Sequence, residues 1–288
     1  MRLKDLGLSP RQLLASLSRR TASPVLLVDL FRDLLHLRPF KKRWLLTCTP
    51  NKKVIGIEAT FRCNLGCNNC DRACGIAPTN DSMTVEQVQK FIEESLSIKH
   101  KWTTIGLLGG EPTLHPKVLD MIDVIGKYRQ QHHSCRVILY TNGYGKHVRD
   151  VLGKVPGWVE IVNSWKNGPV NKFRTYNVAP RDLNLYQTGD YAKGCLVLEV
   201  CGMSLSCNGY YPCAAGACVD RVFGYDIGYR SLREALQADM RDRLKVLCSM
   251  CGCFKRSVAD QSDVQVTSDS WVKALEKYAQ CAPKLTLY

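Results

Sequence analysis

The chain has 288 residues, 45% of them hydrophobic and 23% charged, which is typical of a soluble globular protein and excludes disordered and collagen-like classes. The net charge of +14 is concentrated at the N-terminus, since residues 1–53 hold twelve Lys or Arg against three Asp. No apolar run approaches the ~20 residues that span a bilayer, so we expect no transmembrane segment.

Fifteen cysteines are many for a chain of this size. The sequence shows no continuous apolar segment of the kind that precedes a signal-peptide cleavage site. Metal ligation in a reducing compartment therefore explains the cysteines better than disulfides do. We expect a cytoplasmic protein.

Leucines at helical spacing predict basic amphipathic helices in residues 1–50, with a turn around Pro24. Packing of these helices on the core is the simplest interpretation. The alternative is contact with a peripheral membrane surface or another anionic partner, because Arg and Lys lie beside Leu and Phe.

Three cysteines follow the first predicted strand, at 53–60: Cys63, Cys67 and Cys70. Thiolates this close on one loop can converge on a single inorganic centre at little cost in chain entropy. Zinc and a disulfide remain alternatives. Zinc, however, more often uses Cys-x2-Cys pairs and four protein ligands, and three cysteines cannot all pair among themselves.

Residues 51–194 alternate strands with helices. Strands are predicted at 53–60, 103–108, 136–140 and 158–162, and helices at 83–98, capped by residues 80–82, and at 116–131. This alternation predicts parallel βαβ units, whose functional groups collect at the carboxyl ends of the strands. The cysteine loop and the segment Gly109-Gly110-Glu111-Pro112 both lie at such ends.

Cys-x3-Cys-x2-Cys followed about 40 residues later by Gly-Gly-Glu-Pro resembles the radical S-adenosylmethionine (SAM) superfamily. The resemblance implies an α/β fold, a partial (β/α)6 TIM-like barrel. It also implies that Cys63, Cys67 and Cys70 hold a 4Fe-4S cluster whose open iron chelates SAM. One electron then cleaves SAM to a 5′-deoxyadenosyl radical.

The same resemblance implies a set of cofactor-binding residues. The backbone and carboxylate of the Gly-Gly-Glu-Pro segment would hold the methionyl ammonium of SAM, and Ser164 would lie near the ribose. Asn69 stands where the family commonly has an aromatic residue near the adenine, and its amide can hydrogen-bond a base edge. The full predicted set is Gly109, Gly110, Glu111, Pro112, Asn142, Ser164 and Asn69.

A second group of cysteines lies in residues 195–256. Residues 201–213 are predicted to form a β-hairpin with Asn208-Gly209 as its turn, followed by a helix that starts near Ser231. This order resembles the SPASM and twitch extensions of radical SAM enzymes. The resemblance favours a twitch-like module with one auxiliary 4Fe-4S cluster, because only Cys253 and the distant Cys281 follow the Cys-x2-Cys pair. The expected ligands are Cys201, Cys213, Cys248 and Cys251, with Cys195 and Cys253 as alternatives.

Other interpretations of this second group stay open. Cys248, Cys251 and Cys253 could instead form a zinc knuckle with one hairpin cysteine. Cys207, Cys218 and Cys281 are expected to be small buried hydrophobes. Residues 257–288 are predicted to form a C-terminal helix and tail.

The resemblance predicts a radical SAM enzyme that abstracts hydrogen from a small sugar, polyol or nucleotide-like substrate and causes its oxidation, epimerisation or rearrangement. A SPASM-type maturase that modifies a peptide or protein residue is the alternative. A zinc-binding module for nucleic acid or membranes is a remote third. A flavodoxin- or ferredoxin-type protein would be the electron donor.

Overall fold

The computed structural model describes residues 47–164, 166, 173–184, 186–254 and 261–288. The helices predicted in residues 1–45 therefore lie outside the described residues. The strands, in chain order, are β1 (Val54–Thr60), β2 (Thr104–Gly109), β3 (Arg136–Thr141), β4 (Glu160–Asn163), β5 (Phe173–Arg174), β6 (Met203–Ser206), β7 (Gly209–Tyr211) and β8 (Gln261–Ser262).

Helices connect or follow most of these strands. They are α1 (Val85–Ser97), α2 (Val118–Gln131), α3 (Lys146–Leu152), α4 (Val197–Cys201), α5 (Ala214–Phe223), α6 (Leu232–Gln237), α7 (Arg241–Met250) and α8 (Asp269–Gln280). Among the described residues, none of them is both long and apolar enough to cross a bilayer.

The main sheet has the strand order β4-β3-β2-β1-β6-β7. Strand β1 pairs in parallel with β2 on one side and with β6 on the other, and β2, β3 and β4 continue in parallel. Strands β6 and β7 form an antiparallel hairpin. The protein thus has the predicted α/β fold with a mainly parallel sheet, and the sheet does not close into a barrel.

The expected six strand–helix units are not formed by the described residues. Four parallel strands, β1 to β4, are followed by the short strand β5, which pairs with β8 in a separate sheet. Residues 180–182 and 191–193 then form 3₁₀ turns. The next strand of the main sheet, β6, pairs with β1. It does not extend the sheet past β4 at the opposite edge.

The core lies on the helix-covered face of the sheet. Alternate residues of β1 and β2, such as Ile55, Ile57, Ile105 and Leu107, are fully buried and belong to one hydrophobic cluster with α1 and α2. Period-two alternation sends the intervening residues, such as Glu58, to the opposite face. That face carries polar groups, as a site for a ligand requires.

Helix α1 begins one residue after Thr84, later than the predicted cap. The Thr84 hydroxyl accepts a hydrogen bond from the Gln87 amide at 3.1 Å, and the Gln87 side chain accepts one from the Thr84 amide at 2.9 Å. This reciprocal pair is a capping box, which satisfies two otherwise unpaired amides. Residues 80–82 therefore do not cap the helix.

The cysteine-rich hairpin belongs to the main sheet. Its two-residue turn is Cys207-Asn208, one residue before the predicted turn, because Ser206 pairs with Gly209. The next helix, α5, was not predicted from the sequence. The single helix predicted from Ser231 is instead α6 and α7, separated near Met240 in the left-handed conformation.

Candidate functional site

The cysteine loop begins three residues after β1 ends. Cys63, Cys67 and Cys70 are each half-buried. Burial raises the pKa of the Cys63 thiol to about 11, and the charges of Cys70 and Cys67 act in the same direction. The three thiols predicted to hold a cluster lie on one partly buried loop.

A fourth cysteine of this loop, Cys74, was missed in the sequence. Its thiol hydrogen-bonds to that of Cys70, and this contact lowers the pKa of Cys70. The signal was present, since Cys74 follows Cys70 by four residues. It was overlooked because the resemblance uses only three cysteines.

The two glycines that end β2 pack against the start of the cysteine loop. The Gly110 amide donates to the Thr60 carbonyl at 2.9 Å, and the Glu111 amide donates to the Arg62 carbonyl at 2.8 Å. A Cβ at Gly109, where φ is +142°, would lie 2.2 Å from the Thr60 oxygen. Glycine is thus required for this close approach.

The Glu111 carboxylate is fully buried and faces the ends of β2 and β3. It accepts hydrogen bonds from the Thr113 amide and hydroxyl, the Thr141 hydroxyl and the Asn142 amide, at 2.7–3.2 Å. Both carboxylate oxygens are therefore already used within the protein. The carboxylate therefore joins the ends of β2 and β3, and its contact with the SAM ammonium stays a prediction.

Asn142, at the end of β3, reaches the cysteine loop. Its side-chain amide donates to the Asn64 side-chain oxygen at 2.8 Å and lies 3.8 Å from the Cys63 sulfur. Ser164, just past β4, donates through its amide and its hydroxyl to the Thr141 carbonyl. The carboxyl ends of β1 to β4 thus meet at one edge of the sheet.

Asn69 has a different environment from the one predicted. It is fully buried, and its side-chain amide donates to the Val264 carbonyl at 2.7 Å. Its side-chain oxygen accepts from the Val266 amide at 2.9 Å. The Asn69 side chain is thus engaged by the C-terminal segment, and its contact with the adenine stays a prediction.

A buried ion pair links β1 to the cysteine loop. Arg72 donates to both oxygens of Glu58, at 3.1 and 3.4 Å, and also pairs with Asp71. Burial raises the pKa of Glu58, and Arg72 opposes that shift. Sequence reasoning missed this pair, because residues 14 apart in a chain carry no pairing signal.

The second cysteine group surrounds a small apolar cavity. Five cysteines line it together with Leu198, Leu244, Leu247 and Phe254: Cys195, Cys213, Cys248, Cys251 and Cys253. Hydrogen bonds with Cys195 and Cys251 raise the pKa of Cys253, and burial raises the pKa of Cys213 and Cys248.

Cys201 does not line this cavity. It is exposed, at the end of α4, whereas Cys195 is buried and faces the other four sulfurs. Of the two predicted candidates, this placement favours Cys195 over Cys201 as a ligand. Cys207 and Cys218 are buried as expected, but Cys281 is exposed.

Neither cysteine group has the geometry of a coordinated single ion. Among the described residues, no group of three or more His, Cys, Asp or Glu side chains could hold one metal ion. The donor sets are nevertheless chemically suited to iron–sulfur clusters, because thiolates are their ordinary ligands.

Tyr176 lies near both cysteine groups. Burial raises its pKa, and charges at Cys253 of the second group and Asp71 of the first loop act in the same direction. The Tyr176 carbonyl accepts a hydrogen bond from the Gly252 amide, which lies between Cys251 and Cys253.

Comparison with known proteins agrees with this geometry. Residues 57–161 match the family model described as the Radical SAM superfamily. This segment contains the end of β1, all of β2 and β3, the three-cysteine loop and the Gly-Gly-Glu-Pro segment, and it is similar to radical SAM superfamily domains.

A curated relative is similar to part of the chain. Molybdenum cofactor biosynthesis protein 1 from Bos taurus is 28% identical over 110 residues, which cover 38% of this chain and 17% of that protein. The matched segment is therefore a small part of that relative.

Among solved structures, BtrN in an open conformation has a TM-score of 0.44 and 15% identity, with 72% of this chain and 90% of that chain covered. Streptococcus suis SuiB bound to the precursor peptide SuiA has a TM-score of 0.31 and 16% identity, with 40% and 24% covered.

Proposed function

We propose that the protein is a radical SAM enzyme. The observation that carries this proposal is the packing of the three-cysteine loop against the glycine-ended strand β2 at one sheet edge, inside the matched segment. These three cysteines would hold a 4Fe-4S cluster. With SAM bound, that cluster supplies one-electron cleavage to a 5′-deoxyadenosyl radical.

The chain's own residues would bind and orient SAM. Gly109 and Gly110 let the end of β2 pack directly against the backbone of residues 60–62, which would hold the cysteine loop beside the SAM site. Asn142 orients the loop through Asn64 and the Cys63 sulfur. Ser164, beside the end of β3, is placed to contact the ribose.

We infer a second 4Fe-4S cluster in the apolar cavity. Cys195, Cys213, Cys248 and Cys251 are the proposed ligands, with Cys253 as the alternative fourth. Their apolar surroundings would exclude water from such a cluster, which protects it and lowers its reduction potential. When bound, it would serve as an electron acceptor or a ligand site for the substrate.

The proposed substrate is a small sugar, polyol or nucleotide-like molecule that is oxidised, epimerised or rearranged. The polar face of the sheet supports this class, since Glu58 and Ser204 lie there within 3.4 Å of each other and Tyr140 is 39% exposed. A flavodoxin- or ferredoxin-type protein would supply the electron.

A peptide substrate is the second candidate, and one observation favours it. Strand β4 ends the main sheet and exposes Ile161 and Val162, by 42% and 37%. An extended peptide could add to such an edge through backbone hydrogen bonds. Substitution of both residues by Thr should weaken turnover of a peptide and leave turnover of a sugar unchanged.

Anaerobic iron and sulfide analysis tests the proposal. We expect about eight irons in the wild type and about four in the Cys63/Cys67/Cys70 triple alanine variant, since each 4Fe-4S cluster holds four irons. With dithionite and SAM, only the wild type should release 5′-deoxyadenosine. Retained cleavage in the triple variant, or zinc in place of iron, would refute the proposal.

A further inference from the structure

Residues 262–266, here called the strap, lie against the cysteine loop. Asn68 donates to the Asp263 carbonyl at 2.6 Å, and the Asn69 backbone amide donates to the Gln265 side-chain oxygen at 2.7 Å. Together with the two side-chain bonds of Asn69 described above, these contacts join segments that are almost 200 residues apart. The strap therefore restrains the turn that leads into Cys70.

These hydrogen bonds stabilise an uncommon backbone conformation at Asn69. Its φ is +56°, in the left-handed region that non-glycine residues seldom adopt, although Asn tolerates it better than most. The next residue along the chain is Cys70. A turn held in this conformation by four hydrogen bonds fixes the direction from which the Cys70 thiol enters the site.

The other side of the strap contacts the region beside the second cysteine group. Gln265 donates to the side-chain oxygen of the fully buried Asn177 at 3.1 Å. Next to it in the chain, the Tyr176 carbonyl accepts from the Gly252 amide at 2.9 Å, between Cys251 and Cys253. One polar chain of contacts thus runs from the first cysteine loop to the second.

We propose that Asn69 is a positioning residue which, through the strap, holds Cys70 in place and keeps the cluster bound. This inference rests on the proposed function, because it assumes that Cys70 is a cluster ligand. The strap engages both the side-chain amide and the side-chain oxygen of Asn69. Through these bonds, Asn69 anchors the C-terminal part of the chain to the cysteine loop.

Asn69→Gly is the most informative variant, because it keeps the left-handed conformation accessible while it removes the side-chain hydrogen bonds. Gln265→Ala removes the acceptor of the Asn69 amide. Val264→Ala is the matched control, since that side chain is 62% exposed and the backbone carbonyl remains.

The first measurement is hydrogen exchange of the metal-free full chain. We expect exchange of the Asn69 and Val266 amides to accelerate about tenfold in Asn69→Gly and Gln265→Ala, and to stay at the wild-type rate in Val264→Ala. This measurement needs neither iron nor activity. It therefore tests the strap even if the proposed function fails.

The second measurement is iron release to a ferrous chelator from the anaerobically loaded protein. SAM should protect the iron of the first site, so the SAM-protected fraction reports that site. We expect its release to be about tenfold faster in Asn69→Gly and Gln265→Ala than in the wild type and Val264→Ala.

Two results would overturn the inference. One is a wild-type rate of iron release in Asn69→Gly. The other is equal acceleration in all three variants, which would show that any change in the strap matters and that Asn69 has no special role. If Asn69→Gly does not fold, Gln265→Ala alone decides between these outcomes by the same two measurements.

Discussion

Replacement of Arg72 by Met should destabilise the metal-free protein strongly at neutral pH. Glu58 is fully buried, and Arg72 is its charged partner at 3.1 Å. Loss of one partner leaves a buried charge uncompensated, which typically costs about 3–5 kcal/mol. The Met side chain keeps the apolar stem of the arginine, so little packing is lost.

Protonation of Glu58 limits this cost. The ordinary pKa of a Glu carboxyl group lies about 2.7 units below pH 7, so keeping the group protonated at pH 7 costs ~3.7 kcal/mol. We therefore expect a loss of about 2–4 kcal/mol at pH 7. At pH 5 the same calculation gives about 1 kcal/mol.

The sign of the pH dependence follows from the direction of the shift. Without Arg72, desolvation raises the pKa of Glu58 further above its unfolded value. The folded variant then binds a proton more tightly than the unfolded chain, so its stability should rise as the pH falls toward 5.

Anaerobic urea unfolding at pH 7 and pH 5 measures both effects. The double variant Glu58→Gln/Arg72→Met should recover most of the loss, because no buried charge remains. Asp71→Asn is the control, since Asp71 also pairs with Arg72 but is partly exposed. A loss below about 1 kcal/mol that does not change with pH would refute the reasoning.

Four further substitutions test other parts of the protein. Cys195→Ala should lose about half of the bound iron, whereas Cys201→Ala should keep it, and iron analysis distinguishes the two. Gly109→Ala should abolish SAM binding or folding, because its Cβ would meet backbone at 2.2 Å; isothermal titration and circular dichroism separate these results. Thr84→Ala should cost ~1 kcal/mol in urea unfolding by loss of the capping box, and no loss would contradict that assignment.

The parallel strands were predictable because each carries a local signal. The buried alternation of β1 and β2 and the turn residues after them depend on neighbours in the sequence. The spacing of the three cysteines is visible within eight consecutive residues. These features need no knowledge of distant contacts.

The position of the hairpin was not predictable in the same way. Strand β6 pairs with β1, which lies almost 150 residues earlier, and no local pattern encodes such a pairing. The same holds for Asn69, whose partners lie at 262–266. The choice between Cys195 and Cys201 depends on which way a five-residue helix faces, and that is set by packing.

Because β6 pairs with β1, both cysteine groups are connected to β1, the first group through the chain and the second through strand pairing. Strand β1 leads directly into the first cysteine loop, and β6 and β7 lead to Cys213 of the second group. A chain cut after residue 194 would leave one side of β1 as an unpaired edge, which invites aggregation. The cysteine-rich part is therefore not an exchangeable appendage, and grafting it onto another sheet would require a recipient whose first strand has an unpaired edge.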